Sequence, residues 1–185
     1  MSDYPIIENA VLFDKLIAEV QKGLVDNIDW LHHAFGRAQR IVSKTNAKVY
    51  LPCVYAGKKE YLCVAPDDKL KNFCFFVIHD PIEYGWNSGQ YGSMTAKYSL
   101  IFWFDLRTIY PDGSNRNTEA LKQDILRALN GKILMRSGSL NVTKIYEQAE
   151  NIYKGYSLEE TDSQFLMHPY AGFRFEGEMF VNETC

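Results

Sequence analysis

The chain has 185 residues, a net charge of −3 and 14% aromatic residues, a length that predicts one domain able to bury a large core without cross-links. The mildly acidic balance and the dispersed lysines and arginines argue against tight binding of nucleic acid, which needs a basic patch. The N-terminus has no signal-peptide pattern, no apolar run is long enough to span a membrane, and the four cysteines form no C-x-x-C pair. We therefore expect an intracellular chain with reduced thiols.

The first predicted element is a helix over about residues 8–22, in which apolar residues recur at helical spacing and Gly23 stands at the C-terminal cap position. The next stretch, residues 27–43, is ambiguous because its apolar positions also fit helical spacing while Gly36 interrupts them. Glycine in a helix interior costs about 1 kcal/mol relative to alanine. We predict that part of this stretch is helical.

A β-hairpin follows, with β-branched and aromatic strands over residues 48–55 and 60–66 on either side of a turn that contains Gly57. A three-residue turn would place Cys53 opposite Cys63, whereas an even-numbered turn would not. A cross-strand disulfide is therefore one open outcome, and reduced thiols are the simpler one.

The longest predicted strands, residues 73–86 and 95–109, form an antiparallel hairpin whose connection at 87–94 has the Gly- and Ser-rich composition of a flexible loop. Alternation in the second strand places one set of apolar side chains on a single face: Tyr98, Leu100, Phe102, Phe104 and Leu106. The other face carries Ile101 and Trp103 and then becomes charged. In a sheet with one solvent-exposed face, large apolar residues such as Ile101 and Trp103 are not expected on that face. Another part of the chain or another molecule must therefore cover them.

A helix is predicted over about residues 118–129, with Asn117 as its N-cap. Residues 141–147 favour a strand, residues 148–172 are mixed with possible short helix, and residues 173–183 alternate as a closing strand. The closing strand directs four apolar side chains inward: Phe173, Phe175, Met179 and Val181. Its outward side chains are Arg174, Glu176, Glu178 and the apolar exception Phe180.

Together these elements predict an α+β fold: a mixed, mainly antiparallel sheet with a long hairpin, packed against the N-terminal helix and the helix at about 118–129. We expect a single domain over residues 1–185. Residues 24–70 form a possible insertion with its own hairpin.

The histidines form no pattern of a catalytic or metal site. His79 and Asp80 are neighbours in a predicted strand, so their side chains point to opposite faces and cannot easily converge on one ion with His168. No phosphate-binding glycine loop or EF-hand spacing occurs in the sequence. We therefore predict no catalytic residue, no metal site, no cofactor and no enzymatic activity.

Surplus apolar surface on the long strands instead favours an assembly protein. Burial of a large apolar side chain against another subunit contributes about 1.5–3 kcal/mol. The alternative is that a helix of the same chain covers that face. We expect a helix to cover part of it and a neighbouring subunit to contact the rest, with an interface made of Ile101, Trp103, Tyr84, Trp86 and Phe180.

The order of elements resembles that of the tail terminator (tail-completion) proteins of long-tailed bacteriophages. An amphipathic N-terminal helix (AVLFDKLIAEV), a long antiparallel pair (FFVIHDPIEYGW and AKYSLIFWFDLR), a helix (EALKQDILRALN) and a closing strand (FRFEGEMFV) carry the resemblance. It covers about residues 8–22 and 72–182, whereas residues 24–70 depart from it. The resemblance implies a ring of subunits, commonly sixfold, that caps the tail tube and joins it to the neck without cofactor or catalysis.

The leading hypothesis is a structural virion protein, a tail terminator or another head–tail connector or neck component, that forms a homo-oligomeric ring. Its expected partners are copies of itself and tail-tube and neck proteins, with no membrane and no specific nucleic-acid binding. Its expected location is the host cytoplasm during assembly and then the virion. The alternatives are a small metal-dependent hydrolase that uses His79, Asp80 and His168, and an α+β module that binds a small ligand between sheet and helix.

Overall fold

One sheet of seven strands organises the part of the chain that the computed structural model describes, residues 5, 7–44, 46–57, 60–86, 92–113, 116–158, 161 and 163–182. The strands are β1 (His33–Val42), β2 (Tyr50–Gly57), β3 (Glu60–Cys63), β4 (Phe73–Trp86), β5 (Gly92–Asp105), β6 (Gly138–Tyr146) and β7 (Tyr170–Asn182). Their order is β3-β2-β1-β4-β5-β7-β6, and all neighbours are antiparallel except β1 and β4. The predicted α+β fold with a mainly antiparallel sheet is confirmed.

Four α-helices flank the strands in the described part of the chain: α1 (Leu12–Asn27), α2 (Leu106–Ile109), α3 (Thr118–Arg127) and α4 (Ala149–Ile152). A π-helical turn at Ala128–Lys132 extends α3, and a 3₁₀ turn spans Ser163–Leu166. The Asn117 side chain accepts a hydrogen bond from the backbone N–H of Ala120 at 3.1 Å, so the predicted N-cap of α3 is confirmed.

One face of the sheet packs against α1 and α3, as predicted. Leu16 and Val20 of α1 and Ile125 of α3 are fully buried there. The strands contribute one face of β5 and the inward side chains of β7: Tyr98, Leu100, Phe102, Phe104, Phe173, Phe175, Met179 and Val181. This row of side chains is the face that alternation in the sequence assigned to the core.

The other face carries a second core, which a covering segment (residues 149–158 and 163–170) closes. Phe73 and Phe75 of β4 lie in this core with Ile101 and Trp103 of β5. The covering segment supplies Ile152, Tyr153, Tyr156, Leu158, Phe165 and Tyr170. Both faces of the β4–β5 pair are therefore covered near the start of β4.

The prediction of helix within residues 27–43 is wrong, because the chain forms β1 from His33 onward. The first part of this strand is buried on both sides: Ala34 belongs to the core under α1, whereas Phe35 and Ala38 belong to the second core. A strand that is apolar on both faces loses its alternation, so its spacing resembles that of a helix.

The predicted strand 95–109 ends early, at Asp105. The Asp105 carboxylate accepts a hydrogen bond from the backbone N–H of Arg107 at 2.8 Å and thereby caps α2. Residues 87–91 of the predicted flexible connection and residues 58–59 of the Gly57 turn lie outside the described residues.

Residues 24–70, the possible insertion, supply β1, β2 and β3. β1 joins this part of the chain to the rest of the sheet through parallel pairing with β4.

Candidate functional site

The covering segment occupies the place where a neighbouring subunit was expected. Ile101 and Trp103 are 0% and 3% exposed. The Trp103 ring stacks on Tyr170 with centroids 5.1 Å apart, and its indole N–H donates to the backbone oxygen of Phe165 at 3.1 Å. The expectation that these two residues contact another subunit is therefore corrected: residues of the same chain bury them.

An exposed apolar stripe remains at the far end of β4, and we call Ile82, Tyr84 and Trp86 the β4 stripe. These residues alternate along the strand, so they share one face of the sheet. They are 39%, 52% and 68% exposed, and the rings of Tyr84 and Trp86 lie 6.4 Å apart. Tyr84 and Trp86 were expected at an interface, whereas Ile82 was missed, although the same alternation could have identified it.

Phe180, the fifth residue of the expected interface, lies on the opposite face of the sheet. It pairs with Thr95, and Thr95 pairs with Glu83, so these three side chains share a face. Tyr84 is the neighbour of Glu83 and points the other way. Phe180 is 38% exposed, but it does not extend the β4 stripe.

An open hydrogen-bonding edge lies beside the β4 stripe. β1 pairs with β4 only between Phe73 and Phe76 and then continues alongside β2. From Val77 to Trp86, no strand in the described part of the chain pairs with β4 on that side, and residues 80–86 are exposed. Such an edge can accept a strand from another chain, because its backbone groups point outward.

The last strand, β6, forms a second open edge at the same height of the sheet. Ile82 of β4 is aligned through Ala96 and Met179 with Leu140 of β6. Because each of the three intervening pairings is antiparallel, β4 and β6 run in opposite directions. The two edges could therefore pair with each other in an antiparallel manner between copies of the chain.

The two edges carry opposite charges. Asp80 and Glu83 are exposed on β4, whereas Arg136 and Lys144 are exposed immediately before and within β6. The register places Glu83 and Lys144 on the same face, because Thr95, Phe180 and Glu176 connect them through the sheet. An approach of one edge to the other brings unlike charges together, which favours this pairing over β4 with β4.

A buried arginine attaches the covering segment to the sheet. Arg174 was predicted to point outward, but it is only 3% exposed. Its guanidinium donates to the backbone oxygens of Ile152 and Lys154 at 3.4 and 3.1 Å and pairs with Glu176 at 2.8 Å. The outward prediction is wrong because the covering segment passes over this face and needs donors for its carbonyl groups.

His79 extends this polar cluster but lacks the features of a catalytic histidine. Its Nε2 lies 2.7 Å from Ser99 Oγ and 3.5 Å from Arg174 Nη2. Burial and the charge of Arg174 lower the pKa of His79, partly opposed by Glu176 and Asp80. Ser99 is fully buried, so it cannot meet a substrate as a nucleophile.

His168, another member of the expected hydrolase site, has a different neighbour from His79. Its Nε2 lies 3.3 Å from Arg116 Nη1, whereas the His79 ring contacts Ser99 and Arg174. Within the described ranges, no three metal-binding side chains form a cluster. The geometry therefore provides no support for the metal-dependent alternative.

The space between α1 and the strands β1 and β2 is nearly filled. A cavity of about 30 Å³ lies there, lined in part by Ile17, Gln21 and Val54. The Gln21 amide donates to the backbone oxygens of Ala34 and Pro5 at 2.7 and 3.0 Å. This volume suits a water molecule and is far below that of a metabolite pocket. A wider open groove of about 880 Å³ lies between α1 and the strands β6 and β7, lined in part by Lys15, Glu19 and Ser139.

Neither a scan against protein-family models nor a search of curated proteins found a match to this chain. No helix in the described part of the chain has both the length and the apolar character that crossing a membrane requires.

Proposed function

We propose that this chain is a structural virion protein that forms a homo-oligomeric ring at the head–tail junction of a phage, as a tail terminator or another neck component. The observation that carries the proposal is the exposed β4 stripe beside an open strand edge. The order of elements, which resembles that of tail terminators, supplies the biological setting. Its partners would be copies of itself and tail-tube and neck proteins, in the host cytoplasm during assembly and then in the virion.

A second copy is the occupant that fits the β4 edge. In the proposed contact, β4 of one subunit pairs with β6 of the next, so that the sheet continues from subunit to subunit. This contact uses two different surfaces of each subunit, which is the requirement for a head-to-tail ring. Glu83 would then lie level with Ser139, and Lys144 would lie farther along β6 on the same side of the continued sheet.

The β4 stripe supplies the apolar part of this contact. Full burial of a large apolar side chain contributes about 1.5–3 kcal/mol, and association costs several kcal/mol of lost freedom. One contact of this size is therefore weak on its own. Closure of a ring, in which each subunit makes two contacts, supplies the additional stability.

The test compares two substitutions at equally exposed residues. Trp86→Asp places a charge in the β4 stripe, whereas Leu134→Asp changes a residue of the same exposure, 67% against 68%, outside it. We expect light scattering and negative-stain microscopy to show rings for the wild-type chain and for Leu134→Asp, either alone or on cognate tail tubes. Trp86→Asp should remain folded and monomeric.

Two results would contradict the proposal. A wild-type chain that stays monomeric at high concentration and forms no ring on tail tubes removes the assembly function. Rings formed by Trp86→Asp as readily as by wild type would show that the β4 stripe is not the interface. Mass spectrometry of purified virions checks the location independently.

A further inference from the structure

Two cysteines face each other across the hairpin at the end of the sheet opposite to β6. Cys53 of β2 and Cys63 of β3 are direct partners in the antiparallel register. The chain therefore realises the arrangement that the sequence left open, and both thiols are free. The pair lies outside the surfaces used by the proposed ring contact, so the chemistry of these thiols is independent of the proposed function.

The backbone places this pair at a position where a disulfide fits. The N–H of Val64 donates to the oxygen of Pro52 at 2.8 Å, which makes Pro52 and Val64 a hydrogen-bonded position of the ladder. The adjacent position, Cys53 with Cys63, is then a non-hydrogen-bonded one, where α-carbons lie about 4.5 Å apart. Disulfides span α-carbon distances of about 4.4–6.8 Å, so the bond can form without a change of register.

The two thiols also differ in access. Cys53 is buried at 6% exposure, and its thiol is within hydrogen-bonding contact of Cys63. Cys63 is only half-buried, so an oxidant in solution reaches it first. Cys74 is fully buried in the core under α1 and serves as an internal control for nonspecific oxidation.

We propose that Cys53 and Cys63 form a redox-modification site, in which a peroxide converts the dithiol into a cross-strand disulfide. The Cys63 sulfur attacks the peroxide and becomes a sulfenic acid while one water leaves. The Cys53 sulfur then attacks the sulfenic sulfur, the S–S bond forms, and a second water leaves. Hydrogen peroxide receives the two electrons that the two thiols lose, and both thiol protons end in water.

The order of these steps follows from the environment of Cys53. Burial first, and then its neighbour Cys63, raise the pKa of the Cys53 thiol to about 11. Cys53 is therefore a poor first nucleophile, because the thiolate is the reactive form. It can still complete the reaction because the sulfenic acid would form next to it.

The disulfide would fix the outermost strand to its only partner. β3 spans just Glu60–Cys63 and pairs only with β2 within the described sheet. Val64, which follows directly, is fully buried in the second core together with Tyr153 of the covering segment. The disulfide would therefore keep β3 attached to β2 beside this core, and reduction of the disulfide would remove that constraint.

The experiment treats the purified full-length chain with a small excess of hydrogen peroxide and maps the products by mass spectrometry. Trypsin cleaves after Lys58 and Lys59, between the two cysteines, so a disulfide links two separate peptides that part on reduction. We expect this linked pair in the wild-type chain, in Cys74→Ala and in Cys185→Ser. It should be absent from Cys53→Ser and Cys63→Ser.

A second measurement tests the effect on the fold. The oxidised wild-type chain should unfold at a temperature several degrees above that of the reduced chain, because the cross-link restricts the unfolded state. Peroxide treatment of Cys53→Ser should give no such rise and should leave Cys63 as sulfenic or higher acids. The proposal is overturned by a wild-type chain in which Cys63 reaches the sulfinic acid while Cys53 stays free, or by a disulfide to a different cysteine.

Discussion

The two ends of the β4–β5 hairpin differ in how many of their faces are covered. Where β4 begins, Phe73 and Phe75 pair with Trp103 and Ile101, and all four are buried. At the other end, Trp86 of the same hairpin is 68% exposed. β1 pairs only with the first end, and the covering segment packs on that end. The β4 stripe lies on the other face of the sheet, which packs against α1 and α3, because Ile82 pairs with Ala96 and Ala96 with the buried Met179. Its exposure therefore means that these helices leave this end of the hairpin uncovered.

The largest expected effect comes from truncating the buried tryptophan. Trp103→Ala should lower the free energy of unfolding by about 3–5 kcal/mol, as is usual for large-to-small changes in a packed core. It removes the stacking on Tyr170 and leaves the backbone oxygen of Phe165 without its donor. Urea denaturation measures the change. A loss below about 1 kcal/mol would mean that the covering segment does not pack on Trp103.

The next effect concerns the attachment of the covering segment. Arg174→Met keeps most of the side-chain volume but removes the donors to Ile152 and Lys154, so we expect a loss of about 2–3 kcal/mol in unfolding free energy. Arg107→Met is the comparison variant, since both the ion pair of Arg107 with Asp105 and its hydrogen bond to Tyr170 are solvent-exposed, so its loss should be smaller. Equal losses in the two variants would contradict a special role for Arg174.

A smaller effect is expected from pH, at the junction between the two ends of the hairpin. Because burial and Arg174 lower the pKa of His79 from 6.5, the unfolded chain binds a proton there more readily than the folded chain. The free energy of unfolding should therefore decrease as pH falls through this region and recover as pH rises. Protonation also adds a positive charge to a ring whose Nε2 lies 3.5 Å from Arg174 Nη2.

Urea denaturation at about pH 7.5 and about pH 5.5, on either side of an ordinary histidine pKa, measures this dependence. His79→Gln should lose less stability over the interval than the wild-type chain. His32, whose pKa is also lowered by burial, is present in both proteins, so the difference isolates His79. An identical pH dependence in the two proteins would contradict the prediction.

The smallest effect on stability is expected at the exposed end. Trp86→Ala should change the free energy of unfolding of the monomer by no more than about 0.5 kcal/mol, which is typical of surface positions. Urea denaturation at low protein concentration, where the chain is monomeric, gives this value. A loss close to that of Trp103→Ala would remove the contrast between the two ends.

Much of the fold could be predicted from the sequence because its signals are local. The inward side chains of β7 and the face of β5 that includes Phe102 follow the period of a strand and were assigned correctly. Asn117 identified the start of α3 because a capping side chain acts on backbone groups close by. β1 was missed because a strand buried on both faces carries no alternation.

The candidate site was harder to predict because it depends on contacts between distant parts of the chain. Alternation showed that Ile101 and Trp103 needed cover, but not that Phe165 and Tyr170 would supply it. The covering segment has no regular apolar period that would assign it to a face. The open edge of β4 was equally hidden, since it exists only because β1 stops pairing after Phe76.

The short pairing of β1 with β4 also has a mechanical consequence. Beyond Phe76 the sheet divides into two groups of strands that are not paired with each other. One group is β1, β2 and β3, and the other is β4, β5, β7 and β6. If a single-molecule experiment pulled Val42 and Trp86 apart, the force would act on the few backbone hydrogen bonds between β1 and β4. These bonds would break in sequence at low force, whereas the long β5–β7 ladder would stay closed.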